Sequence, residues 1–390
     1  MKPIIVVMMA ALLAVPVVAQ ETSDVVSIQI KEGEPGAVPL SLSNEARAAV
    51  DRGMTWLLAQ QSPEGYWSNA EFPALTGLAV WALAANGSTD QAAIDKGVQY
   101  ILSCVHEDGS IFREPSEQRK GGGLANYNTA ICMVALHAVG KPEFTPVILK
   151  ARKFIAGTQH MGGDDYRGGM GYDPETGRPY ADLSNTYIAY EAMRLTENVE
   201  DLRASGDQRA DLDWKAAQQF LDKIQNKPEG TNDDNAGGFA YHPNQSQAGT
   251  ITNEEGEVRF RSYGSMTYAG LLSLIYAEVN RDDPRIQSSF DWAARHWSLD
   301  ENPGMGQQGL YYFYNVLSKS LAAYGRDQIP LASGGEVNWR NELAKKLVSL
   351  QKIDPATGSG YWVNPEGRWW EADPVLVTCY SLLALDVALK

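Results

Sequence analysis

The residues best suited to chemistry in this sequence lie just before its last apolar segment. Arg368, Trp369 and Trp370 are followed directly by Glu371, and Asp373 stands two residues further on. Carboxylates beside aromatic rings suit carbohydrate binding or general acid/base catalysis. Adjacent tryptophans in a loop are also costly to expose without a purpose. We therefore predict Glu371 and Asp373 as catalytic candidates and the three residues before them as ligand-binding candidates.

Other loops that lead into apolar segments carry similar polar and aromatic residues. The ligand-binding candidates among them are Asn126, Arg261, Tyr263, Tyr311 and Tyr312. Asp182, before the third apolar segment, is a further catalytic candidate. Aspartate at such a position also serves as a helix N-cap, because its side chain accepts hydrogen bonds from free backbone N–H groups. For Asp182 and Asp373, catalysis and capping remain open alternatives.

Two charged residues lie inside otherwise apolar segments. Glu191 and Lys319 each stand five residues after the start of a recurring sequence pattern. A charge in an apolar helix must face a cavity, a partner or water. The two residues are therefore expected either to pair with each other or to mark a wet cavity, and both are catalytic candidates.

The recurring pattern defines the architecture. A threonine is followed by an apolar stretch that ends in Leu or Met seven residues later; the copies start at Thr76, Thr129, Thr186, Thr267 and Thr378, and a degenerate copy starts at Tyr314. Each stretch is apolar on nearly every face, as in a helix that is buried all round. An amphipathic helix is predicted before each one, at residues 46–60, 93–104, 147–159, 214–224, 286–296 and 339–351. Outer amphipathic and inner apolar helices therefore alternate six times.

The end of the chain favours a closed ring over an open array. A linear solenoid needs polar caps on its terminal repeats, yet the last inner segment, residues 375–389, is as apolar as the others. We therefore predict an all-α fold, an (α/α)6 toroid, as a single domain over residues 44–390. The fourth repeat contains a long insertion at 226–262, which is typical of a lid, a binding loop or a disordered segment.

The turns of the first and last repeats carry a second signature. Gln60 is followed by Gly65-Tyr66-Trp67, and Gln351 by Gly360-Tyr361-Trp362. This signature resembles the glutamine–tryptophan repeat of the squalene cyclase and prenyltransferase superfamily, which has a terpenoid cyclase-like α/α toroid. The resemblance implies the toroid fold and a central cavity for an apolar, isoprenoid-like ligand.

Weaker copies of the turn lie in the middle repeats. They place Tyr172 and Tyr241 a few residues after paired glycines. An aromatic ring can pack beneath such a turn. We therefore interpret these aromatic residues as bracing the fold.

The catalytic motifs of that superfamily are absent from this sequence. The Asp-x-Asp-Asp acid motif and the Asp-Asp-x-x-Asp magnesium motif each contain two adjacent aspartates and a third one nearby. Pairs of adjacent aspartates begin at Asp164, Asp233 and Asp282, but none of them has the third aspartate that either motif requires. The Asp, Cys and His ligands of a zinc site are also not grouped. We predict no metal site and no cofactor, and the sequence does not decide whether the protein is an enzyme.

The N-terminus and the composition bear on location and partners. Lys2 precedes an apolar stretch at 4–18, and small residues follow around Ala19. This pattern predicts a signal peptide at 1–20, cleaved near residues 19–20, with a retained anchor as the alternative, and then an irregular tail at 21–43. The predicted location is periplasmic or extracellular. A formal net charge of −15 disfavours nucleic acid as a partner, and no stable membrane span is predicted.

Three functions remain open from the sequence. The first is an enzyme or binding protein for an apolar small molecule, which an aromatic cavity with one buried carboxyl would favour. The second is a secreted lyase or hydrolase for a glycan, which would need an open groove with two carboxylates about 5 to 10 Å apart. The third is a non-catalytic binding or interaction protein, which a plugged ring would favour. The sequence does not indicate the oligomeric state.

Overall fold

The structure, a computed structural model, describes residues 38–116, 123–174, 180–229, 233–252 and 256–390. The predicted signal peptide and residues 21–37 of the predicted tail lie outside the described residues. The first helix begins at Leu40, so residues 40–43 of the predicted tail are helical. They join the helix because Leu42 and Ala46 pack into the core. Within the described residues, no helix combines the length and the apolar character that a membrane span requires.

The described residues form twelve α-helices that alternate between an outer and an inner layer. The outer helices are α1 (Leu40–Ala59), α3 (Gln91–Leu102), α5 (Thr145–Gly157), α7 (Trp214–Ile224), α9 (Pro284–Arg295) and α11 (Trp339–Leu350). The inner helices are α2 (Pro73–Ala85), α4 (Ala125–Val139), α6 (Leu183–Leu195), α8 (Gly264–Tyr276), α10 (Leu310–Tyr324) and α12 (Pro374–Ala388). Each inner helix contains one copy of the recurring pattern. The predicted alternation is confirmed.

The inner helices close into a ring. Each of them packs against the next in chain order, and α12 returns to pack against α2. The outer helix α1 likewise contacts α11 and α12. Because the last repeat finds its neighbour in the first, no repeat needs a polar cap, and the apolar end of the chain is buried. The (α/α)6 toroid is therefore confirmed.

The recurring threonine ties the turn to the inner helix in five of the six repeats. The Thr76 hydroxyl accepts the backbone N–H of Trp67 at 3.1 Å, and the Thr378 hydroxyl accepts that of Trp362 at 3.1 Å. Both indole rings are fully buried, and their Nε1–H groups donate to carbonyls of the preceding outer helix. The hydroxyls of Thr129, Thr186 and Thr267 make the same bond in their repeats. The two tryptophans therefore brace the turns of the first and last repeats.

Glutamine side chains join the turn to the following outer helix in several of the repeats. Gln61, rather than its neighbour Gln60, donates to the carbonyls of Gly65 and Ala93. Gln159 and Gln225 make the corresponding pair of bonds in later repeats. The turn glycine is required here: Gly65 has a φ of +96°, and an added Cβ would lie 2.5 Å from a backbone carbonyl oxygen of α3.

The described residues also form three short antiparallel β-hairpins. Strands β1 (Thr250–Thr252) and β2 (Val258–Phe260) lie within the fourth-repeat insertion. Strands β3 (Gln328–Pro330) and β4 (Glu336–Asn338) precede α11, and β5 (Lys352–Ile353) and β6 (Gly360–Tyr361) follow it. Within the insertion, Arg259 forms an ion pair with Asp233 at 2.6 Å, and Arg295 at the end of α9 donates to the Ala236 carbonyl of the insertion at 3.0 Å. The described part of the insertion is thus an ordered loop against the ring.

Candidate functional site

The ring surrounds a cavity at the N-terminal ends of its inner helices. Its volume is about 360 Å³, within the usual range for small-molecule sites. Six tyrosines line it, namely Tyr127, Tyr172, Tyr241, Tyr263, Tyr312 and Tyr380. Apolar walls include Phe72, Leu75, Leu78, Met266 and Leu376. Among the described residues that line the cavity, Glu371 carries the one charged side chain.

The predicted tryptophan pair lies at the mouth of this cavity. The Trp369 and Trp370 side chains line it while remaining 42% and 49% exposed. Both residues adopt positive φ angles, 55° and 69°, which non-glycine residues rarely hold without a constraint. Trp370 packs edge-on against Phe72, and the Arg368 guanidinium lies 4.3 Å from the Trp369 ring centroid. Arg368 itself does not line the cavity.

Glu371 is held as a cap on the start of helix α10. Its side chain is 1% exposed; Oε1 accepts the backbone N–H of Tyr312 at 2.7 Å, and Oε2 accepts the Asn364 amide at 2.6 Å. Burial raises the pKa of Glu371, and these hydrogen bonds oppose that rise. The side chain joins the sixth repeat to the inner helix of the fifth.

A side-chain oxygen accepts an N-terminal backbone N–H at each of the six inner helices. The acceptors are Asn128 for α2, Asp173 for α4, Asp182 for α6, Asn302 for α8, Glu371 for α10 and Asp373 for α12. Carboxylate and amide oxygens are favourable there because the helix N-terminus carries unpaired N–H groups and a positive partial charge. The geometry therefore supports the capping interpretation of Asp182 and Asp373, and gives Glu371 the same role.

Of the other five predicted binding residues, two line the cavity and three do not. Tyr263 and Tyr312 are wall residues. Tyr311 points away from the cavity and packs edge-on against Tyr314. Asn126 is buried and donates to the Gly171 carbonyl, and the exposed Arg261 donates to the Thr250 carbonyl. The side chains of these three residues face away from the cavity, because neighbouring residues in a loop or helical turn point in different directions.

Sequence reasoning missed two wall residues by treating them as bracing. Tyr172 and Tyr241 line the cavity, a position that the bracing interpretation did not predict. The bracing positions in their repeats are Met170 and Phe239, whose backbone N–H groups bond to the recurring threonines. Each tyrosine lies two residues after the bracing position of its repeat, and its side chain faces the cavity. Alignment on the threonine pattern, rather than on the aromatic residue, would have separated the two roles.

Asp182 is buried behind Tyr241 and titrates unusually. Burial raises the pKa of Asp182 to about 6, against opposing hydrogen bonds from Asn185, Tyr241 and Tyr180. The pKa of Tyr241 is also raised, first by burial and then by the Asp182 charge. Asp182 is thus coupled to Tyr241, and only the Tyr241 side chain lines the cavity.

Ionisation of the Asp182 carboxyl should lower the free energy of unfolding as the pH rises through about 6. The folded-state pKa of Asp182 lies above its ordinary value of 3.8. The contribution of Asp182 to the free energy of unfolding is therefore complete below pH 3.8 and is lost as the pH rises through 6. The difference corresponds to about 3 kcal/mol. We expect the unfolding free energy of the unmodified protein, relative to Asp182→Asn, to fall by about this amount between pH 4 and 7. Urea unfolding of both proteins at each pH measures it.

Asparagine keeps the N-cap, so this comparison isolates the titration. Asp213→Asn at the exposed N-cap of α7 is the matched control. Parallel stability curves for the unmodified protein and Asp182→Asn would contradict the prediction.

Glu191 and Lys319 form an ion pair below the cavity. Lys319 Nζ lies 3.0 Å from Glu191 Oε2, and both side chains are less than a tenth exposed. The ammonium also lies 4.2 Å from the centroid of the Trp81 ring. Burial lowers the pKa of Lys319, and the Glu191 charge opposes that effect. The two charges thus pair across the ring, from α6 to α10.

No grouping of metal-ligating side chains is present in the described ranges. Within them, three or more His, Cys, Asp or Glu residues nowhere come together in a metal-binding arrangement. The cysteines, Cys104, Cys132 and Cys379, are buried free thiols.

Comparisons with known proteins agree with this fold. No family model matches the chain. A 112-residue stretch is 34% identical to dammaradiene synthase from Dryopteris crassirhizoma, but it covers 27% of this chain and 15% of that protein. The match therefore spans far less than two thirds of the relative's length.

Solved structures extend the comparison to most of the ring. The cellobiose 2-epimerase of Spirochaeta thermophila superposes with a TM-score of 0.52 at 13% identity, covering 90% of this chain and 98% of that one. The type II terpene cyclase MstE from Scytonema gives a TM-score of 0.49 at 12% identity, covering 88% and 98%. At such identities the likeness concerns the fold alone. The α/α toroid fold is confirmed.

Proposed function

We propose that this protein binds a small, apolar, isoprenoid-like molecule in the central cavity of its ring. The observation that carries the proposal is the cavity wall, which combines aromatic rings and aliphatic side chains with a single buried carboxylate, Glu371. Sites for apolar ligands have this composition, with a few polar groups that fix orientation. The two half-exposed indoles at the mouth supply an apolar route inward from the surface.

The carboxylates support this proposal over glycan hydrolysis or elimination. Such chemistry uses two carboxylates that flank the scissile bond. Of the three carboxylates predicted as catalytic near the mouth, only Glu371 lines the cavity, and all three accept backbone N–H groups at helix starts. In a ring that served only as a scaffold, side chains would fill the centre. This ring instead contains a cavity of about 360 Å³. The proposal assigns no reaction.

Binding of farnesol, a C15 isoprenoid alcohol, tests the proposal. We expect equilibrium dialysis with radiolabelled farnesol to give one site per chain and cellobiose to show none. Met266, which lines the cavity and is 3% exposed, offers a position to fill. Met266→Trp should weaken farnesol binding by more than about tenfold, because the larger ring occupies the space of the ligand.

A matched control adds the same side chain elsewhere. Leu202→Trp places an indole at a position that is 66% exposed and outside the cavity lining, and it should leave farnesol binding unchanged. Thermal unfolding of both variants verifies that they are folded. Absence of farnesol binding to the unmodified protein, or tighter binding of cellobiose, would refute the proposal.

A further inference from the structure

Beneath the central cavity the inner helices enclose a second, smaller chamber. Its volume is about 20 Å³, enough for a single water-sized group. Leu78, Tyr127, Tyr312 and Tyr380 line both spaces. A ligand in the cavity therefore has only these side chains to pass. Lys319, in the chamber, lies seven residues along α10 from Tyr312, which is about 10 Å deeper in the ring.

The chamber is polar although apolar helices surround it. Glu191, Lys319 and Tyr187 line it, and their polar atoms are joined: the Tyr187 hydroxyl donates to Glu191 Oε2 at 3.1 Å, the atom that Lys319 also contacts. The three groups lie on α6 and α10, two inner helices with α8 between them in the ring. This cluster supplies a cation, an anion and a hydroxyl within a few ångströms.

Asn315 adds an unused hydrogen-bond acceptor. Its side chain lines the chamber and is 4% exposed, and its Oδ1 accepts no hydrogen bond from the described residues. Asn315 and Lys319 are four residues apart on α10, so their side chains share one helix face. A buried acceptor without a donor is costly. The chamber therefore lacks one donor group.

We propose that this chamber binds the hydroxyl head group of an apolar alcohol, whose hydrocarbon part occupies the central cavity. The inference rests on the proposed function and names the ligand class. A hydroxyl can donate to Asn315 Oδ1 and accept from the Lys319 ammonium at the same time. The tail then points toward Trp369 and Trp370 at the mouth.

Other head groups fit the chamber less well. A carboxylate or a phosphate is larger than about one water and would face the Glu191 charge at close range. An ammonium would face the Lys319 charge in the same way. An aldehyde or a ketone only accepts hydrogen bonds, so it would leave Asn315 Oδ1 unpaired. A neutral group that both donates and accepts satisfies every partner.

The test compares farnesol, farnesyl methyl ether and the hydrocarbon farnesene as probes of one chain length. The ether accepts a hydrogen bond but cannot donate one. We expect the unmodified protein to bind farnesol about tenfold more tightly than the ether. In Asn315→Leu the ratio of farnesol to farnesene affinity should fall about tenfold, with farnesene binding retained. Ratios between variants cancel the different water solubilities of the probes.

Ser320→Ala is the matched control. Ser320 lies on the same helix with a buried hydroxyl that also has no partner among the described residues, but it lines neither space. The variant should keep the unmodified ratio. Equal binding of alcohol and ether, or an unchanged ratio in Asn315→Leu, would overturn the head-group assignment while apolar binding stands. Failure of all three probes to bind would instead overturn the proposed function itself. Should Asn315→Leu not fold, the ether comparison on the unmodified protein decides.

Discussion

Glu371→Leu is expected to lower the free energy of unfolding by about 4 kcal/mol. The substitution leaves the Tyr312 backbone N–H without its acceptor at the start of α10 and removes one acceptor of the Asn364 amide. Each buried donor left unsatisfied costs about 1 to 3 kcal/mol, and bonds to a charged partner lie at the upper end of that range. The loss also breaks the link between the fifth and sixth repeats. Urea denaturation followed by circular dichroism measures the change.

Two further variants separate capping from other effects at this position. Glu371→Gln keeps an oxygen for the Tyr312 N–H, and it should cost about 1 to 2 kcal/mol. Glu366→Leu changes an exposed glutamate in the same loop, and it should stay within about 0.5 kcal/mol of the unmodified protein. A Glu371→Leu variant as stable as the control would show that the cap contributes little to the ring.

The architecture was predictable because a single pattern encodes it six times. Every repeat needs an inner helix that is apolar all round and an outer one with a polar face, so periodicity alone separates the layers. The recurring threonine marks where each turn meets its inner helix. Closure of the ring is seen in the packing of α12 against α2.

The walls of the cavity were harder to predict than the frame. Tyr311 and Tyr312 are adjacent in sequence, yet only Tyr312 faces the cavity, because the start of α10 sets the side-chain directions. The acids at the mouth resemble catalytic residues in sequence, but an aspartate before a helix has the same signature when it caps the N-terminus. Only three-dimensional contacts separate those two roles. The unpaired oxygen of Asn315 leaves no trace in a sequence at all.

The capping pattern explains why carboxylates gather at the mouth without acting as a pair. Six inner helices direct their N-termini toward one end of the ring, so their partial positive charges converge there. Asp173, Asp182, Glu371 and Asp373 oppose that field at four of the six helices. Amide oxygens of Asn128 and Asn302 suffice at the other two. These oxygens bind the free N–H groups of the helix starts and offset their positive partial charge. The cavity wall can therefore remain largely apolar.

Lys319→Met is expected to destabilise the protein by about 3 to 5 kcal/mol. The variant leaves the Glu191 carboxylate buried between Tyr187 and Tyr276 without its cation, and an unpaired buried charge costs about that much. Glu191→Leu alone should cost a similar amount for the same reason. The double variant should return to within about 1 kcal/mol of the unmodified protein, because a well-packed apolar pair replaces a buried ion pair at little net cost. Urea unfolding of the four proteins forms a double-mutant cycle.

The exposed pair of Lys345 with Glu342, whose side chains are 58% and 41% exposed, is the matched cycle, and its coupling should stay below about 0.5 kcal/mol. Additive losses in the Glu191 and Lys319 cycle would show that the two charges do not stabilise each other. If the ion pair of Glu191 with Lys319 adds little to the free energy of unfolding, stability does not explain its presence among apolar helices. The chamber provides an explanation, since the same charges would hold the hydroxyl of a bound alcohol. The stable double variant should therefore still bind farnesene but lose most of its preference for farnesol over the hydrocarbon.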